Sequence, residues 1–439
     1  MNDISLRSFA EKEAEKAESL KAFSGLKLLH LKRSIAACLA NIGKDGIFDE
    51  YTKHDVSHID YMLDSLKNII PEDTKVQMTP SDWLMITLAV YFHDLGMLVT
   101  KEEFDNRAKT GFGDYRDKVV SGYYGADYRD KIAAIGDLAR QDRFIYQELV
   151  RQTHAERVKH WILDECHPTF STEKAIVKEV KGLLEHVDPM FRRDLAYICE
   201  SHHLDDLDDF SKYKVNQQYG PADEEVVNLQ YAALLLRTAD LLHITSDRTP
   251  SIELRLINPT DPISQEEWAK QGSVKSVRPQ IKKNKEGILD PCLQKDTFEV
   301  IALFKDEKGF FGLIAYLNYV AKELKKNYKH NETAKHRFST TFEYPWKEID
   351  DSNIETENFE KNQFEFVLDQ MRILDLLVGH TLYNDSTVVL RELAQNAIDA
   401  SKLKKFELEA KNSCGGYEPA LEIKWESSSR ELTGGVHFS

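Results

Sequence analysis

The stretch LAVYFHDLGM, residues 88–97, is an apolar run that stops at His93 and Asp94 and turns at Gly96. Its apolar residues continue those of residues 81–87, so the spacing predicts a core helix that ends in an imidazole and a carboxylate. A buried charge is costly unless it is paired or bound to a metal. The two side chains therefore need partners, which other segments of the chain must supply.

The composition is that of an ordinary globular protein. The 439 residues are 41% hydrophobic and 30% charged, and the length suggests two or three domains. A formal net charge of -16 argues against non-specific binding to bulk DNA or to an anionic membrane. Two lysine-rich stretches, residues 274–287 and 322–330, are interpreted as solvated faces, with a local basic patch as the alternative.

Several features indicate a cytoplasmic protein. The five cysteines lie far apart and form no CxxC pair, which is typical of a reducing compartment. Residues 1–21 are charged throughout and contain no apolar signal core. The longest apolar stretch, residues 83–92, is too short to span a bilayer. We therefore expect a cytoplasmic location and no membrane partner.

The first half of the chain reads as one helix after another, so the predicted fold class is mainly α. We expect an all-helical domain over residues 1–250. Ser81 and Asp82 follow Pro80 and are the expected caps of the helix that leads to His93. Apolar residues recur at intervals of three and four over residues 26–42, 56–70, 81–95, 145–163, 192–203 and 225–244.

The sequence pattern changes after residue 250. We expect a small mixed α/β segment over residues 251–350 and a final segment over residues 351–439, which ends in a strand-like stretch at 420–426. The acidic and polar residues 347–363 between them are interpreted as a linker or surface connection. In the mixed segment, composition predicts strands at 251–257, 296–305 and 337–346, and a helix at 313–328.

Histidines and aspartates that could join His93 and Asp94 lie on separate helical segments. Asp240 is the most informative, because apolar residues precede it by one and two helical turns and its helix face looks buried. Imidazoles and carboxylates together are a normal ligand set for divalent transition metals. Six further histidines are interpreted as surface or satisfied core residues: His30, His160, His167, His243, His330 and His336. The other candidates are His54, His58, His154, His202 and His203.

The ordered set resembles the His…His-Asp…Asp signature of HD-domain metal-dependent phosphohydrolases, over about residues 25–250. The resemblance implies an all-helical HD domain with one or two bound divalent metal ions, of Mn, Fe, Ni, Co, Zn or Mg. It implies one metal held by His58, His93, Asp94 and Asp240. It implies a second metal held by Asp94, His154 and His202, with His203 as the alternative to His202.

The chemistry implied by the resemblance is hydrolysis of a phosphoester, with His93 and Asp94 as catalytic residues. A divalent metal would lower the pKa of its bound water to roughly 7 and so supply hydroxide at neutral pH. His54, His203, Arg157 and Arg237 are candidates for contact with the substrate. For each of the two arginines a surface or structural ion pair is the favoured interpretation, and His54 could equally be an exposed loop residue.

A second motif lies in residues 388–402, VVLRELAQNAIDASK, where Glu392, Asn396 and Asp399 form one polar stripe at helical spacing. Residues 376–400 are similar to the opening of an ATPase lobe of the Hsp90, gyrase, histidine-kinase and MutL type. The resemblance implies an α/β sandwich, with Glu392 as general base and Asn396 as a magnesium ligand beside ATP.

The end of the chain departs from that pattern. Residues 430–439, RELTGGVHFS, contain no Asp-x-Gly-x-Gly loop, which in that family recognises adenine. We therefore expect a truncated Hsp90-like lobe over residues 351–439. ATP and magnesium are expected cofactors only if the lobe is completed in a longer protein.

The pairing of the two regions resembles HD–Hsp90-like fusions of bacterial conflict or anti-phage systems. We predict a metal-dependent phosphohydrolase or phosphodiesterase that acts on a nucleotide or short oligonucleotide in antiviral defence, with a homo-oligomer allowed. One alternative is a nuclease on single-stranded DNA or RNA, whose binding would depend steeply on salt. The other is a chaperone-like Hsp90-type ATPase or regulator with a structural metal site.

Overall fold

The computed structural model of the chain divides into two compact units, Met1–Glu360 and Lys361–Ser439. The described part is mainly helical with small sheets, which confirms the predicted fold class. The described residues are 4–43, 47–50, 52, 55–170, 174–250, 254, 257, 259, 262–291, 293, 295–361, 386–410, 417–418, 420, 423–426 and 435–438.

Helices build most of the first unit. The helices are α1 Phe9–Glu15, α2 Leu28–Leu39, α3 Val56–Ile69, α4 Glu72–Lys75, α5 Pro80–Phe92, α6 Lys101–Asp105, α7 Phe112–Val120, α8 Ala126–Ala133, α9 Leu138–Ile162, α10 Lys174–Leu183, α11 Pro189–Ser201, α12 Leu229–Leu242, α13 Pro262–Ser273 and α14 Phe310–Phe338. The six helices predicted in the first half of the chain correspond to α2, α3, α5, α9, α11 and α12. The helix predicted later corresponds to α14, and both α9 and α14 are longer than predicted.

Helix α5 lies in the middle of the helical layer. Every residue of α5 after Pro80 is buried, because α1, α3, α11 and α12 pack around it. A helix that is apolar on all sides belongs in a core. Its C-terminal end therefore delivers His93 and Asp94 to the protein interior.

The N-terminus of α5 begins with a capping box. Thr79 is the N-cap: its hydroxyl accepts the Asp82 N–H at 3.0 Å, and the Asp82 carboxylate accepts the Thr79 N–H at 2.9 Å. Asp82 thus has the expected capping role. Ser81 does not, because its hydroxyl donates to the carbonyl oxygen of Glu224.

A small sheet and α14 form a further layer against α12. Strand β4 (Thr297–Phe304) lies in the middle and pairs with β3 (Val274–Pro279) antiparallel and with β5 (Glu348–Asp350) and β6 (Ile354–Thr356) parallel. The hydroxyl of Tyr316 on α14 donates to Leu241 O at 2.9 Å, so this layer reaches the end of α12. The two-residue strands β1 (Gln217–Gln218) and β2 (Val226–Val227) pair separately.

The prediction of a strand at residues 337–346 is wrong. Helix α14 continues to Phe338, and the residues after it have no regular structure. Tyr344 and Trp346 are buried, and Trp346 Nε1 donates to Ile69 O at 2.7 Å. The aromatic and β-branched composition reflects burial against the helices here, and not pairing in a sheet.

Two other expectations after residue 250 also differ from the structure. The predicted linker, residues 347–363, contains β5 and β6, because Ile349 and Ile354 pack into the core while the residues between the strands face solvent. The strand predicted at 251–257 lies mostly outside the described residues, and its two described residues are helical. The strand predicted at 296–305 is confirmed as β4.

The described residues of the second unit form one helix and one pair of strands. Helix α15 spans Ser386–Ala410, and β7 (Ile423–Glu426) pairs antiparallel with β8 (Gly435–Phe438). Helix α15 confirms the predicted helix at 388–402, and β7 confirms residues 423–426 of the strand-like stretch predicted at 420–426. Among the described residues of the whole chain, no helix has both the length and the apolar character that crossing a bilayer requires.

Candidate metal centre

Five helices of the first unit bring the predicted histidines and aspartates together. Most of these side chains lie at helix ends, where the chain can turn them inward without breaking the helical hydrogen bonds. The positions are the first turn of α3 (His58), the residues directly after α5 (His93 and Asp94), the middle of α9 (His154), the residue directly after α11 (His202) and the last turn of α12 (Asp240).

The first group consists of His58, His93, Asp94 and Asp240. The Nε2 atoms of His58 and His93 lie 3.4 and 3.2 Å from Asp94 Oδ2. The same two atoms lie 3.6 and 4.0 Å from Asp240 Oδ1. The Asp240 side chain is not buried as predicted but 32% exposed, because its carboxylate faces a cavity.

The second group consists of His154, His202 and His203. His154 Nε2 lies 2.9 Å from His202 Nε2 and 3.3 Å from Asp94 Oδ1. The His203 ring centroid is 4.5 Å from that of His154, but His203 is more exposed than His202. Asp94 therefore turns one carboxylate oxygen toward each group.

Gly96 permits the turn after Asp94 to approach α9 closely. Residues Leu95–Met97 form a short 3-10 turn that packs on α9. A β-carbon at residue 96 would lie 2.0 Å from the carbonyl oxygen of His154. A side chain at this position would push His154 away from Asp94.

Backbone carbonyls fix the proton position in three of the imidazoles. Each Nδ1 donates to a carbonyl oxygen three residues earlier in the chain. Because a carbonyl oxygen can only accept a hydrogen bond, the Nδ1 atom carries a proton and Nε2 is turned toward the centre. The pairs are His93 with Val90 at 2.9 Å, His154 with Arg151 at 2.7 Å and His202 with Cys199 at 2.5 Å.

This arrangement fits a bound cation. His154 and His202, when neutral, both direct an Nε2 lone pair into the same space, with 2.9 Å between the two nitrogens. Lone pairs at this distance repel each other unless a positive charge lies beside them. The buried Nε2 of His93, which has no well-aligned hydrogen bond, is a further donor atom. Imidazole nitrogens with carboxylate oxygens suit divalent transition metals.

Burial and neighbouring charges set the ionisation of the centre. Burial lowers the pKa of His58 to about 3 and that of His202 well below its ordinary value. Burial also disfavours the charged form of His93, but the carboxylates of Asp94 and Asp240 outweigh it and raise the His93 pKa to about 9. Burial raises the pKa of Asp94, yet His93 and the other imidazoles lower it by more, so Asp94 is ionised.

A cavity of about 380 Å³ lies beside both groups. Candidate ligands from both groups line it, and the rest of its lining includes cationic and aromatic side chains from α9, α13, α14 and the segment after α12. The candidate ligands in its lining are Asp94, His154, His202, His203 and Asp240; the cationic and aromatic residues are Arg151, Arg248, Lys270, Tyr316 and Tyr319.

Two cations of the cavity, Arg151 and Lys270, are paired with nearby acids. Arg151 Nη2 lies 2.8 Å from Glu148 Oε2, and Lys270 is paired with Glu267. Lys270 Nζ also lies 5.2 Å from the ring centroid of Tyr316. The cavity thus places cations and aromatic ring faces beside the candidate metal ligands.

Arg157 and Arg237 are engaged away from the cavity. Arg157 is 0% exposed, and its guanidinium donates to the two Glu103 carboxylate oxygens at 2.5 and 3.1 Å. Arg237 donates to Ser201 O at 2.8 Å and is paired with Glu323. Both arginines therefore form structural ion pairs, the interpretation that the sequence favoured over substrate contact.

The remaining predicted site residues lie elsewhere or outside the described residues. His54 is not among the described residues. Glu392 and Asn396 lie on α15 of the second unit, and both side chains are exposed. Arg391 Nη2 lies 3.7 Å from Glu392 Oε1. The roles given to Glu392 and Asn396 by the sequence stay predictions.

Some residues of the site were not predicted from the sequence. Arg151 lies one helical turn before His154, so its presence near the centre could have been predicted from helical spacing. Lys270 carried no such signal, since only the packing of α13 against α14 and the turn after α12 brings it to the cavity. His243, assigned an ordinary structural role, contacts His58 through its Nδ1.

Comparison with known proteins identifies the family. Residues 48–326 match the HD-CE family, more than half of the chain. The match includes both groups of candidate ligands and the cavity residues of α13 and α14. No solved structure matches the chain. The chain therefore belongs to the HD-CE family, and the matched residues contain its HD-type domain.

Proposed function

We propose that the HD-type domain is a metal-dependent phosphohydrolase that cleaves a phosphoester in a nucleotide or short oligonucleotide. One observation carries the proposal. Asp94 turns one carboxylate oxygen toward His58 and His93, at 3.4 and 3.2 Å, and the other toward His154, at 3.3 Å. A carboxylate between two sets of imidazoles is the donor arrangement of a two-metal hydrolase site.

The proposal gives each group of side chains one cation. His58, His93, Asp94 and Asp240 would hold the first cation, and Asp94 would share the second with His154 and His202. A divalent cation, when bound, would lower the pKa of a coordinated water so that water becomes a nucleophile at neutral pH. The protein holds the imidazoles in orientation through their Nδ1 atoms and shields His93 from bulk water.

The cavity supports a small, phosphate-bearing substrate. Its volume of about 380 Å³ lies in the usual range for small-molecule sites, roughly 300–1,000 Å³. Arg151, Arg248 and Lys270 supply cationic donors for phosphate oxygens. The rings of Tyr316 and Tyr319 offer faces on which a base can stack. This space suits one nucleotide or the end of a single strand, and it is too small for a duplex.

The proposal is tested by a substrate and metal screen of the purified chain. Nucleotides, cyclic dinucleotides and single-stranded DNA and RNA are each incubated with Mn²⁺, Mg²⁺, Zn²⁺, Ni²⁺ or Co²⁺. Asp94→Ala should lose both bound metal and hydrolysis, because Asp94 belongs to both groups. Asp64→Ala, which removes an exposed carboxylate of α3, is the control and should change neither. Full retention of metal and hydrolysis by Asp94→Ala would reject the proposal.

The same screen separates the two alternatives. Cleavage of single strands alone, with binding that weakens steeply as salt rises, would favour a nuclease. Metal retention without turnover of any phosphoester would favour a structural metal site in a regulator.

The second unit and the biological role are further proposals that rest on resemblance. From the sequence resemblance we infer that residues 376–400, of which 386–400 are described, begin an Hsp90-type ATPase lobe. Binding of a fluorescent ATP analogue that Asn396→Ala abolishes would support the lobe.

Plaque counts on cells that express the wild-type chain or Asp94→Ala would test the role in anti-phage defence.

A further inference from the structure

His58 is held in a different way from the other candidate ligands. Its Nδ1 lies 2.5 Å from Nδ1 of His243. The carbonyl three residues earlier, of Asp55, accepts the backbone N–H of His58 at 3.1 Å, because His58 lies in the first turn of α3. The orientation of the His58 ring therefore depends on another side chain.

His243 is in turn held by Asp247. His243 Nε2 lies 2.8 Å from Asp247 Oδ2. An ionised carboxylate can only accept a hydrogen bond, so His243 carries a proton on Nε2. A neutral imidazole carries a single N–H, so with its proton on Nε2 the His243 ring presents a lone pair on Nδ1. That lone pair accepts a hydrogen bond only from a His58 ring whose proton is on Nδ1.

The packing around His243 holds this geometry. The ring of His243 is buried and stacks on the ring of Tyr61, with centroids 3.9 Å apart. The planes of His58 and His243 differ by 9°, which suits an in-plane hydrogen bond between them. The hydroxyl of Thr245 donates to the other carboxylate oxygen of Asp247. These contacts therefore hold both His243 and Asp247 in place.

We propose that His243 and Asp247 are positioning residues that keep the proton of His58 on Nδ1 and direct its Nε2 lone pair at the centre. The proposal rests on the proposed function in that a cation is the partner of this lone pair. Carboxylates that hold a ligating histidine through its second nitrogen commonly change metal affinity by about 10–100-fold. Here the carboxylate acts through one additional imidazole.

Asp247→Asn is the sharpest test, because the new side chain has the same shape. Thr245 donates to one oxygen of Asp247, so the asparagine keeps its carbonyl toward Thr245 and turns its amide toward His243. The amide donates to His243 Nε2, and the His243 proton moves to Nδ1. His58 must then carry its proton on Nε2. In the full chain labelled with ¹⁵N-histidine, the NMR signals of His58 should change from the Nδ1–H to the Nε2–H tautomer.

Metal affinity gives a second readout. Competition with a chelating dye should show that Asp247→Asn binds Mn²⁺ or Co²⁺ about 10–100-fold more weakly than the wild type. His243→Phe keeps a ring against Tyr61 but offers no nitrogen, and it should weaken binding by a similar factor. Glu165→Gln is the matched control, because Glu165 lies 3.0 Å from His160 Nδ1 outside the centre. This control should alter neither readout.

Two results would overturn the proposal. One is an unchanged tautomer of His58 in Asp247→Asn, and the other is a metal affinity within twofold of the wild type in a folded Asp247→Asn chain. If the wild-type chain binds no metal, the proposed function fails. The tautomer of His58 still decides whether His243 and Asp247 position it.

Discussion

Asp94 links the two groups of imidazoles through the two oxygens of one carboxylate. Burial alone would raise its pKa, but the imidazoles around it hold it ionised. Its Oδ2 faces His58 and His93, and its Oδ1 faces His154. A substitution at Asp94 therefore disturbs both groups, whereas a substitution at His154 disturbs mainly the second.

We expect the metal affinity of the centre to depend on pH, because His93 holds a proton at neutral pH. Burial disfavours the proton on His93, but the carboxylate of Asp94 outweighs it, and the pKa is raised to about 9. Below pH 9 a cation must displace this proton, so the affinity should fall by about tenfold for each unit from pH 9 to pH 7 and level off above pH 9. Calorimetry in buffers of different ionisation enthalpy should detect the release of about one proton at pH 7. An affinity that does not change between pH 7 and pH 9 would contradict this expectation.

The sequence predicted which residues meet but not how each is held. His93 and Asp94 end an apolar helix and so required partners, and His58 and Asp240 were recognisable from their order along the chain. His243 gave no such signal, because a histidine at the end of a helix is common. Only the packing of α12 against α3 places it on His58.

At the scale of elements, α5 and α9 set the separation of the two groups. The turn Leu95–Met97 follows directly from Asp94 and packs on α9. The backbone of Gly96 lies against the backbone of His154, which is a member of the second group. The spacing of the candidate centre therefore depends on a residue with no side chain.

Gly96→Ala should destabilise the protein and weaken metal binding by the second group. The new β-carbon would lie 2.0 Å from the His154 carbonyl oxygen, and relief of such overpacking typically costs about 1–3 kcal/mol. Denaturant unfolding measures the stability, and metal titration should show weaker binding to the second group. Gly113→Ala is the control, since a β-carbon there meets nothing within 4 Å. Equal stability of the Gly96→Ala and wild-type chains would contradict the prediction.

The ion pair between Arg157 and Glu103 should contribute to stability and not to substrate contact. Both side chains are fully buried, so Glu103→Gln leaves a buried guanidinium without its counter-charge and should cost about 3–5 kcal/mol. Lys101→Met removes an exposed pair with Asp105 and should change stability by less than about 1 kcal/mol. Denaturant unfolding compares the two variants. A loss of substrate affinity at unchanged stability in Glu103→Gln would show that the pair acts on the substrate instead.

Helices were predicted well where the helical periodicity of apolar residues was strong. Strands were predicted poorly where residues were buried without pairing in a sheet, or paired in a sheet although the segment looked polar. The apolar spacing of α5 and α12 gave both helices close to their observed bounds. Residues 337–346 have strand-like composition, but Trp346 packs on the helices through a hydrogen bond to Ile69 O. Residues 347–363 look polar, yet Ile349 and Ile354 are enough to add two short parallel strands.

At the scale of the molecule, the described core clusters lie within the first unit. The sheet cluster includes Ile354 and is covered by Phe359, whose ring lies 5.3 Å from that of Phe310. The two groups of candidate ligands and the cavity also belong to this unit. The first unit therefore contains the described core clusters together with every described candidate ligand of the centre.

A chain that ends at Glu360 should fold and bind metal like the 439-residue chain. Circular dichroism melting and metal titration measure both properties. A chain that ends at Asp350 is the matched comparison, because it lacks Ile354 and Phe359. It should lose roughly 2–5 kcal/mol of stability, the range for removal of a large buried apolar side chain. Failure of the longer fragment to fold would show that the first unit depends on residues after 360.

The central claim is that two groups of side chains, joined by Asp94, hold divalent cations. The most direct measurement is anomalous diffraction from crystals of the wild-type chain grown with Mn²⁺. We expect one peak bonded to His58, His93, Asp94 and Asp240, and a second bonded to Asp94, His154 and His202. A map with Mn²⁺ bound elsewhere in the protein, and none at Asp94, would contradict the claim.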